Sequence, residues 1–401
     1  MYRQDQIAKI IDSQRELFLQ KGNLLNREAL AQIPIVESYA TIITGIRRCG
    51  KSTLLHQLIY GTYPESIFLT FEDIRLAGFD TTDFTRLYNE IVLRGIKLLC
   101  FDELQIVHNW EMFVHQLLRE GYQIFITGSN ASLLSRELGT NLTGRHLSME
   151  LFPFSYKEFM TFKGLIGNQD SLQSYLVTGG MPEFVRSGEG RVLSQLIDDI
   201  LIRDISVRQS IRDIEVLRQL TVYLLTNVGN LISATKLSGM YGIKSATTFL
   251  EYFTFLSNAY LIEFVPQFSY SLKSQTRNPK KVYSMDTGFI TQVATLFTDN
   301  LGQRFENLIY LHLRRKYDKV YFYKDKGECD FVAINRNKVE ELVQVCFRID
   351  DINFQREYSG LLEAMKFFKI TEGVIVTFNQ KDIFEKDGYK VKLVPGYEFL
   401  V

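Results

Sequence analysis

Cysteine is scarce and scattered: Cys49, Cys100, Cys329 and Cys346 are the only four in 401 residues, and no two form a CxxC pair. That pattern excludes a disulfide framework and a zinc ribbon, and it suits a chain kept in a reducing cytosol. The five histidines, His56, His108, His115, His146 and His312, have no metal-ligand spacing either. Charge of one sign is not in excess, since Lys plus Arg and Asp plus Glu number 46 each. No global field therefore draws the protein to nucleic acid or anionic lipid, and any such binding must be local. Nowhere is there an 18-residue apolar run, and the N-terminus, MYRQDQIAKIIDSQRELFLQ, mixes charges into a helical pattern. The expectation is no signal peptide, no membrane span and a cytoplasmic protein. Internal repeats and low-complexity segments are also missing.

What remains is ordinary globular composition, 46% apolar and 23% charged, enough to give each domain a buried core. At about 100–200 residues per domain, the length predicts two to four of them. From about Ile35 the chain alternates short apolar runs, TIIT, SIFLTF, IKLLCF and YQIFIT, with helical stretches. This is the pattern of a parallel sheet covered by helices, an α/β fold spanning residues 1–150. Residues 151–210 read as a helical lid or connector with a Gly-Gly-Met-Pro break. Residues 211–290 offer three helical stretches, a turn at Tyr241-Gly242-Ile243 and strand-like LIEFVPQF, the order of a winged helix-turn-helix. Residues 300–401 read as a further α/β unit.

The segment TIITGIRRCGKSTLLHQLI carries a P-loop, G-x-x-x-x-G-K-[ST], between an apolar run and a helix. Gly45 and Gly50 let the backbone curl, so that N–H groups from Gly45, Ile46, Arg47, Arg48, Cys49, Gly50, Lys51, Ser52 and Thr53 surround phosphates at a helix N-terminus. Lys51 is expected to neutralise the β- and γ-phosphates and Ser52 to ligate Mg²⁺. The run IKLLCFDELQ then ends in Asp102 and Glu103, a Walker B pair: Asp102 for the metal's water shell, Glu103 to activate the attacking water. YQIFITGSN ends in Ser129 and Asn130, a sensor-like polar pair or, alternatively, a plain strand-to-helix turn. Arg145, in LTGRH, is a candidate arginine finger, within the chain or from a neighbouring subunit; the alternative is a surface arginine.

Taken in order, GIRRCGKS, FDELQ, Trp110, ITGSNASLLS, LTGRH, LFPFSYKEF, YLVTGGMPE, KVYSMDTGF, and FENLIY followed by GECDF resemble a bacterial and archaeal family of AAA-type ATP-binding proteins with a C-terminal domain of unknown function. The resemblance spans nearly the whole chain. It implies an AAA+ core, a winged-helix unit and a C-terminal fold similar to PD-(D/E)xK nucleases, and it favours ATP over GTP, with oligomers conceivable.

Such nucleases need two carboxylates for Mg²⁺ and a lysine two positions after the second. Glu306 and Asp330 supply acidic positions, but the strand ELVQVCF presents Gln344 and Cys346 where the second carboxylate and the lysine belong. Glu341 is three positions from Gln344 and points to the other face of a regular strand. The expectation is a degenerate nuclease-like domain with weak or no cleavage. In the middle segment, Lys236, Lys244, Lys273, Arg277, Lys280 and Lys281 make a locally basic stretch with double-stranded DNA as its expected partner. A protein partner is the alternative. Two functions therefore stay open: an ATPase coupled to DNA, or a nucleotide-dependent switch with slow turnover.

Overall fold

The computed structural model describes residues 2–20, 25–130, 144–293 and 301–401. The chain divides into two compact units, one comprising Met1–Phe152 with Asn258–Tyr260, the other Pro153–Ser257 with Leu261–Val401. The expected segments 151–210, 211–290 and 300–401 fall within the second unit except for residues 151–152 and 258–260, which belong to the first.

The first unit is a five-stranded sheet in the order β2-β3-β4-β1-β5, all parallel. Its strands are β1 (Ala40–Thr44), β2 (Ile67–Thr70), β3 (Leu98–Asp102), β4 (Gln123–Gly128) and β5 (His146–Glu150). The apolar runs of the first four are buried because helices cover the sheet. Helix α1 (Gln4–Leu19) buries Ile7, Ile10 and Ile11, and α4 (Trp110–Arg119) buries Trp110, Phe113, Val114, Leu117 and Leu118. Both stripes follow the three-four spacing of one helix face. Trp110 is therefore a core residue. Helix α2 (Lys51–Gly61) starts directly from the P-loop, and α3 (Phe84–Arg94) ends on Gly95 in the left-handed conformation. Strand β5 was not evident from sequence: its run HLSME is partly exposed at the sheet edge and lacks the apolar signature of its neighbours.

In the second unit, the helices Tyr156–Lys163, Gln169–Thr178, Pro182–Ser187 and Arg191–Asp199 follow the expected helical stretch. Three antiparallel strands, β6 (Leu231–Ile232), β7 (Ile262–Val265) and β8 (Lys280–Ser284), form a sheet in the order β6-β8-β7. Helices Ile214–Thr226, Ala234–Leu237 and Ala246–Asn258 accompany it. The polar stretch SYSLKSQTRNPKK contains a helix at Leu272–Arg277, capped where Ser271 accepts from the Ser274 N–H.

The remaining sheet has six strands in the order β13-β14-β12-β11-β10-β9: β9 (Lys319–Lys324), β10 (Glu328–Asn335), β11 (Lys338–Val345), β12 (Glu372–Thr377), β13 (Asp382–Lys386) and β14 (Tyr389–Pro395). Helix Phe354–Phe368 lays Tyr358, Leu361, Ala364 and Met365 on it. Its Gly360 lies so close to β10 that a Cβ there would stand 2.3 Å from the Glu328 carbonyl oxygen.

Two sequence motifs meet inside this unit. The Asp286 carboxylate accepts from the backbone N–H groups of Gly180 at 2.7 Å and Gly288 at 2.8 Å. A Cβ on Gly179, whose φ is 72°, would sit 1.9 Å from Asp286 Oδ1, and one on Gly180 would sit 2.2 Å from the Phe154 carbonyl oxygen. The glycines of YLVTGGMPE thus make room for the aspartate of KVYSMDTGF. Burial pushes the Asp286 carboxyl up to about 6, against the pull of those two N–H groups.

Candidate nucleotide site

The first unit gathers its polar groups at the carboxyl ends of β1, β3 and β4, three neighbours in the sheet. The turn after β1 bends through Gly45 at φ 142° and Gly50 at φ 105°. At Gly45 a Cβ would lie 2.2 Å from the Leu151 carbonyl oxygen, so no other residue fits. Gly50 caps the 11-residue helix α2, whose first N–H groups and dipole favour an anion at this end. Lys51 is 6% exposed, and its ammonium donates to the carbonyls of Gly45 and Ile46, each at 3.1 Å. Arg47 pairs with Glu72 at 3.5 Å, and Arg48 holds a left-handed φ of 63°.

Strand β3 delivers Asp102 beside the loop. Ser52 Oγ lies 3.0 Å from its Oδ1 and 3.1 Å from its Oδ2. Glu103 follows at φ 54° and accepts from the Gln105 side chain. Burial, reinforced by Asp102 and Glu72 and opposed by Lys51, raises the Glu103 carboxyl to about 7. Ser129 and Asn130 follow β4 and are both buried, at the same edge. The rest of ITGSNASLLS, residues 131–135, lies outside the described residues, as do residues 142 and 143 of LTGRH.

Arg145 requires a correction. It is exposed, and its carbonyl accepts from the N–H of Ala40, the first residue of β1. It therefore sits at the amino end of the sheet, a strand length away from Gly45, and cannot serve as a finger within its own chain.

Two residues at this site escaped the sequence reading. Thr127 is register partner to Asp102; its hydroxyl donates to Asp102 Oδ1 and accepts from the Glu103 N–H at 3.2 Å. A hydroxyl inside the apolar run QIFIT was the signal. The second is Arg27, whose guanidinium is buried and donates to the carbonyls of Cys49 at 2.8 Å and Phe152 at 2.7 Å. Its own N–H binds Gln57 on α2, so Arg27 braces the P-loop from its outer side.

In the second unit, Glu306 and Asp330 do come together, at the ammonium of Lys281. Gln344 joins them through its Oε1, which accepts from the Asp330 N–H at 3.1 Å, while its Nε2 donates to Glu357 at 2.6 Å. Glu341 is engaged elsewhere, by the Tyr317 hydroxyl. Burial raises the Cys346 thiol to about 11, so it is a neutral thiol at neutral pH. Among the expected phosphate contacts of the middle segment, Lys236, Lys244, Lys273 and Arg277 are exposed and Lys280 is half-buried. Lys281 is 4% exposed and bound to carboxylates, so it is withdrawn from that role.

A glycine-bent loop opening a helix beside a strand-end aspartate, on a parallel sheet, is the arrangement of a P-loop NTPase fold. Residues 37–160 match the family described as an AAA domain, and residues 169–300 match a domain of unknown function (DUF8612). An uncharacterized protein of Methanocaldococcus jannaschii is 32% identical over 394 residues, covering 91% of this chain and 87% of the relative. An uncharacterized protein of Haemophilus influenzae is 30% identical over 368 residues, covering 83% and 91%. The chain belongs to this AAA-type ATPase family. Among the described residues, no helix is long and apolar enough to cross a membrane.

Proposed function

We propose that the first unit binds ATP with Mg²⁺ and hydrolyses it. The observation that carries this reading is the convergence of Ser52 and Asp102 at hydrogen-bond distance beneath a loop ending in Lys51. The donor set fits the group: a hydroxyl and a carboxylate are hard oxygen ligands of the kind Mg²⁺ takes, alongside substrate phosphates and water. Bound there, Mg²⁺ would neutralise charge on the phosphates. The Lys51 ammonium leaves the Gly45 and Ile46 carbonyls for phosphate oxygens, and the backbone of residues 45–53 donates to them. Glu103 accepts a proton from the attacking water, with Asn130 and Ser129 orienting that water. Thr127 holds Asp102 and Glu103 in register for both tasks.

The hydrolysis cycle drives the second unit, whose three helices and β6-β8-β7 sheet act as a winged-helix module on double-stranded DNA. Lys244 beside the helix Ala246–Asn258, together with exposed Lys273 and Arg277, supplies the phosphate contacts. One observation favours a second reading, a protein-binding switch with slow turnover. A Glu103 carboxyl raised to about 7 is only partly ionised at neutral pH.

Steady-state ATP hydrolysis with and without double-stranded DNA, beside Lys51→Ala and Glu103→Gln, separates the two. Turnover lost in both variants and stimulated by DNA supports the coupled ATPase. ATP binding without turnover in every condition transfers the case to the switch.

A further inference from the structure

Lys281 lies on β8, in the three-stranded sheet, yet its side chain ends among carboxylates belonging to other elements. Its Nζ is 3.2 Å from Glu306 Oε1 on the helix Leu301–Lys316, 2.9 Å from Glu328 Oε1 and 2.8 Å from Asp330 Oδ1, the last two on β10. Glu328 and Asp330 are two positions apart and so present to the same face of the strand. Three carboxylates around one point is how a protein holds a hard divalent cation. Here an ammonium, with three donors and no acceptor, stands at that point, donating to Glu306 and Asp330 and pairing with Glu328.

Each of the three carboxylates also has a further partner. Glu306 Oε1 accepts from the Tyr283 hydroxyl at 2.7 Å, Asp330 Oδ2 from the Val345 N–H at 3.0 Å, and Glu328 Oε2 from Lys324 at 3.0 Å. Gln344 adds an amide where a further carboxylate would be needed, and spends both of its polar atoms on Asp330 and Glu357. Mg²⁺ requires oxygens at about 2.0–2.1 Å and keeps several waters. The oxygens stand 2.8–3.2 Å from Nζ, and Lys281 is 4% exposed, which leaves no room for such a shell. Among the described residues, no group of three or more His, Cys, Asp or Glu side chains has metal-holding geometry.

We propose that Lys281 is the built-in cation of this cluster. It replaces a divalent ion, locks the three-stranded sheet to the six-stranded sheet, and leaves the C-terminal sheet without metal-dependent phosphodiester chemistry. The lock joins the two motifs KVYSMDTGF and GECDF through a single side chain. It stands independently of the nucleotide reading, because it involves no residue of the first unit.

The test is Mn²⁺ binding to the full, nucleotide-free chain, read by electron paramagnetic resonance as loss of the free-ion signal. Wild type is expected to retain no Mn²⁺ that Asp330→Asn removes. One Mn²⁺ per chain in wild type, lost in Asp330→Asn, overturns the proposal. Lys281→Met keeps the length and deletes the charge; it is expected to gain one Mn²⁺ per chain, lost again when Asp330→Asn is added. A folded Lys281→Met that gains no Mn²⁺ also overturns it, since the ammonium would then occupy no cation position. If Lys281→Met does not fold, the wild-type comparison alone decides.

Discussion

Ser52 Oγ reaches both oxygens of Asp102, at 3.0 and 3.1 Å, across 50 residues of sequence. The two side chains come from the P-loop helix and from the strand two places away in the sheet, so the pair registers whether β1 and β3 are correctly aligned around β4. Ser52→Ala deletes one oxygen ligand while leaving the fold intact. The Mg²⁺ concentration needed for half-maximal ATP turnover is expected to rise by about 10–100-fold. An unchanged Mg²⁺ requirement would remove Ser52 from the metal's coordination.

Glu103 carries a pH prediction. With its carboxyl raised to about 7 in the folded protein, the ionised form that accepts a proton is depleted below that pH. Turnover at saturating ATP is expected to fall on the acid side with an apparent pKa near 7. Glu103→Gln should lower turnover by about 10²–10⁴-fold and abolish that limb while nucleotide binding persists. A pH profile flat from 6 to 8 in wild type assigns proton acceptance to another group.

Thr127→Val is nearly isosteric and tests the hydroxyl between Asp102 and the Glu103 N–H. Both partners are left short of a bond inside the sheet, at a cost of about 1–3 kcal/mol. Urea unfolding measures that loss. Turnover should fall further than Lys51-dependent ATP binding does, because the misaligned groups are the ones that meet water and metal.

Gly179→Ala drives a methyl group into Asp286, where 1.9 Å is available, at a φ of 72°. The expected cost is roughly 3 kcal/mol or more. Gly164→Ala is the control: its φ is also positive, at 67°, but nothing lies within 4 Å of a Cβ there. That change should cost only about 1–2 kcal/mol of backbone strain. Equal destabilisation of the two in thermal melts would show that contact with Asp286 is irrelevant.

Asp286 also predicts a slope. Its folded carboxyl, at about 6, titrates above its ordinary value of 3.8. The stability this contributes is complete below about 3.8 and is lost as pH rises through 6. Glu103 and Glu306 are raised too, so the measurement is a difference. Asp286→Asn should show a flatter decline between pH 4 and 6 than wild type. Parallel curves would place the titration elsewhere.

The parallel sheet of the first unit was legible because β1 to β4 are buried on both faces and read as continuous apolar runs. The P-loop and the Asp102-Glu103 pair were legible because their chemistry is local, within eight residues and within two. Strand β5, half exposed at an edge, has no such run. Strands β13 and β14 were missed although Asp387-Gly388, with φ values of 53° and 78°, is the positive-φ turn that joins a hairpin. Thr127, Arg27 and Lys281 were invisible in their roles for a different reason: each acts on groups 22 to 125 residues away. Lys281 illustrates the cost, since a lysine in a basic stretch reads as a solvated phosphate contact until its burial is known.

The bond between the Gly180 N–H and Asp286 spans 106 residues, and that distance has a meaning on the ribosome. At about 5–20 residues per second, the Gly-Gly turn emerges on the order of ten seconds before the aspartate that fits it. The P-loop unit, complete in sequence by Phe152 apart from Asn258–Tyr260, is made ahead of both. During that interval the Phe154–Gly180 region, whose Phe154, Phe159 and Tyr175 are buried in the finished fold, waits without the carboxylate that its glycines are shaped to hold.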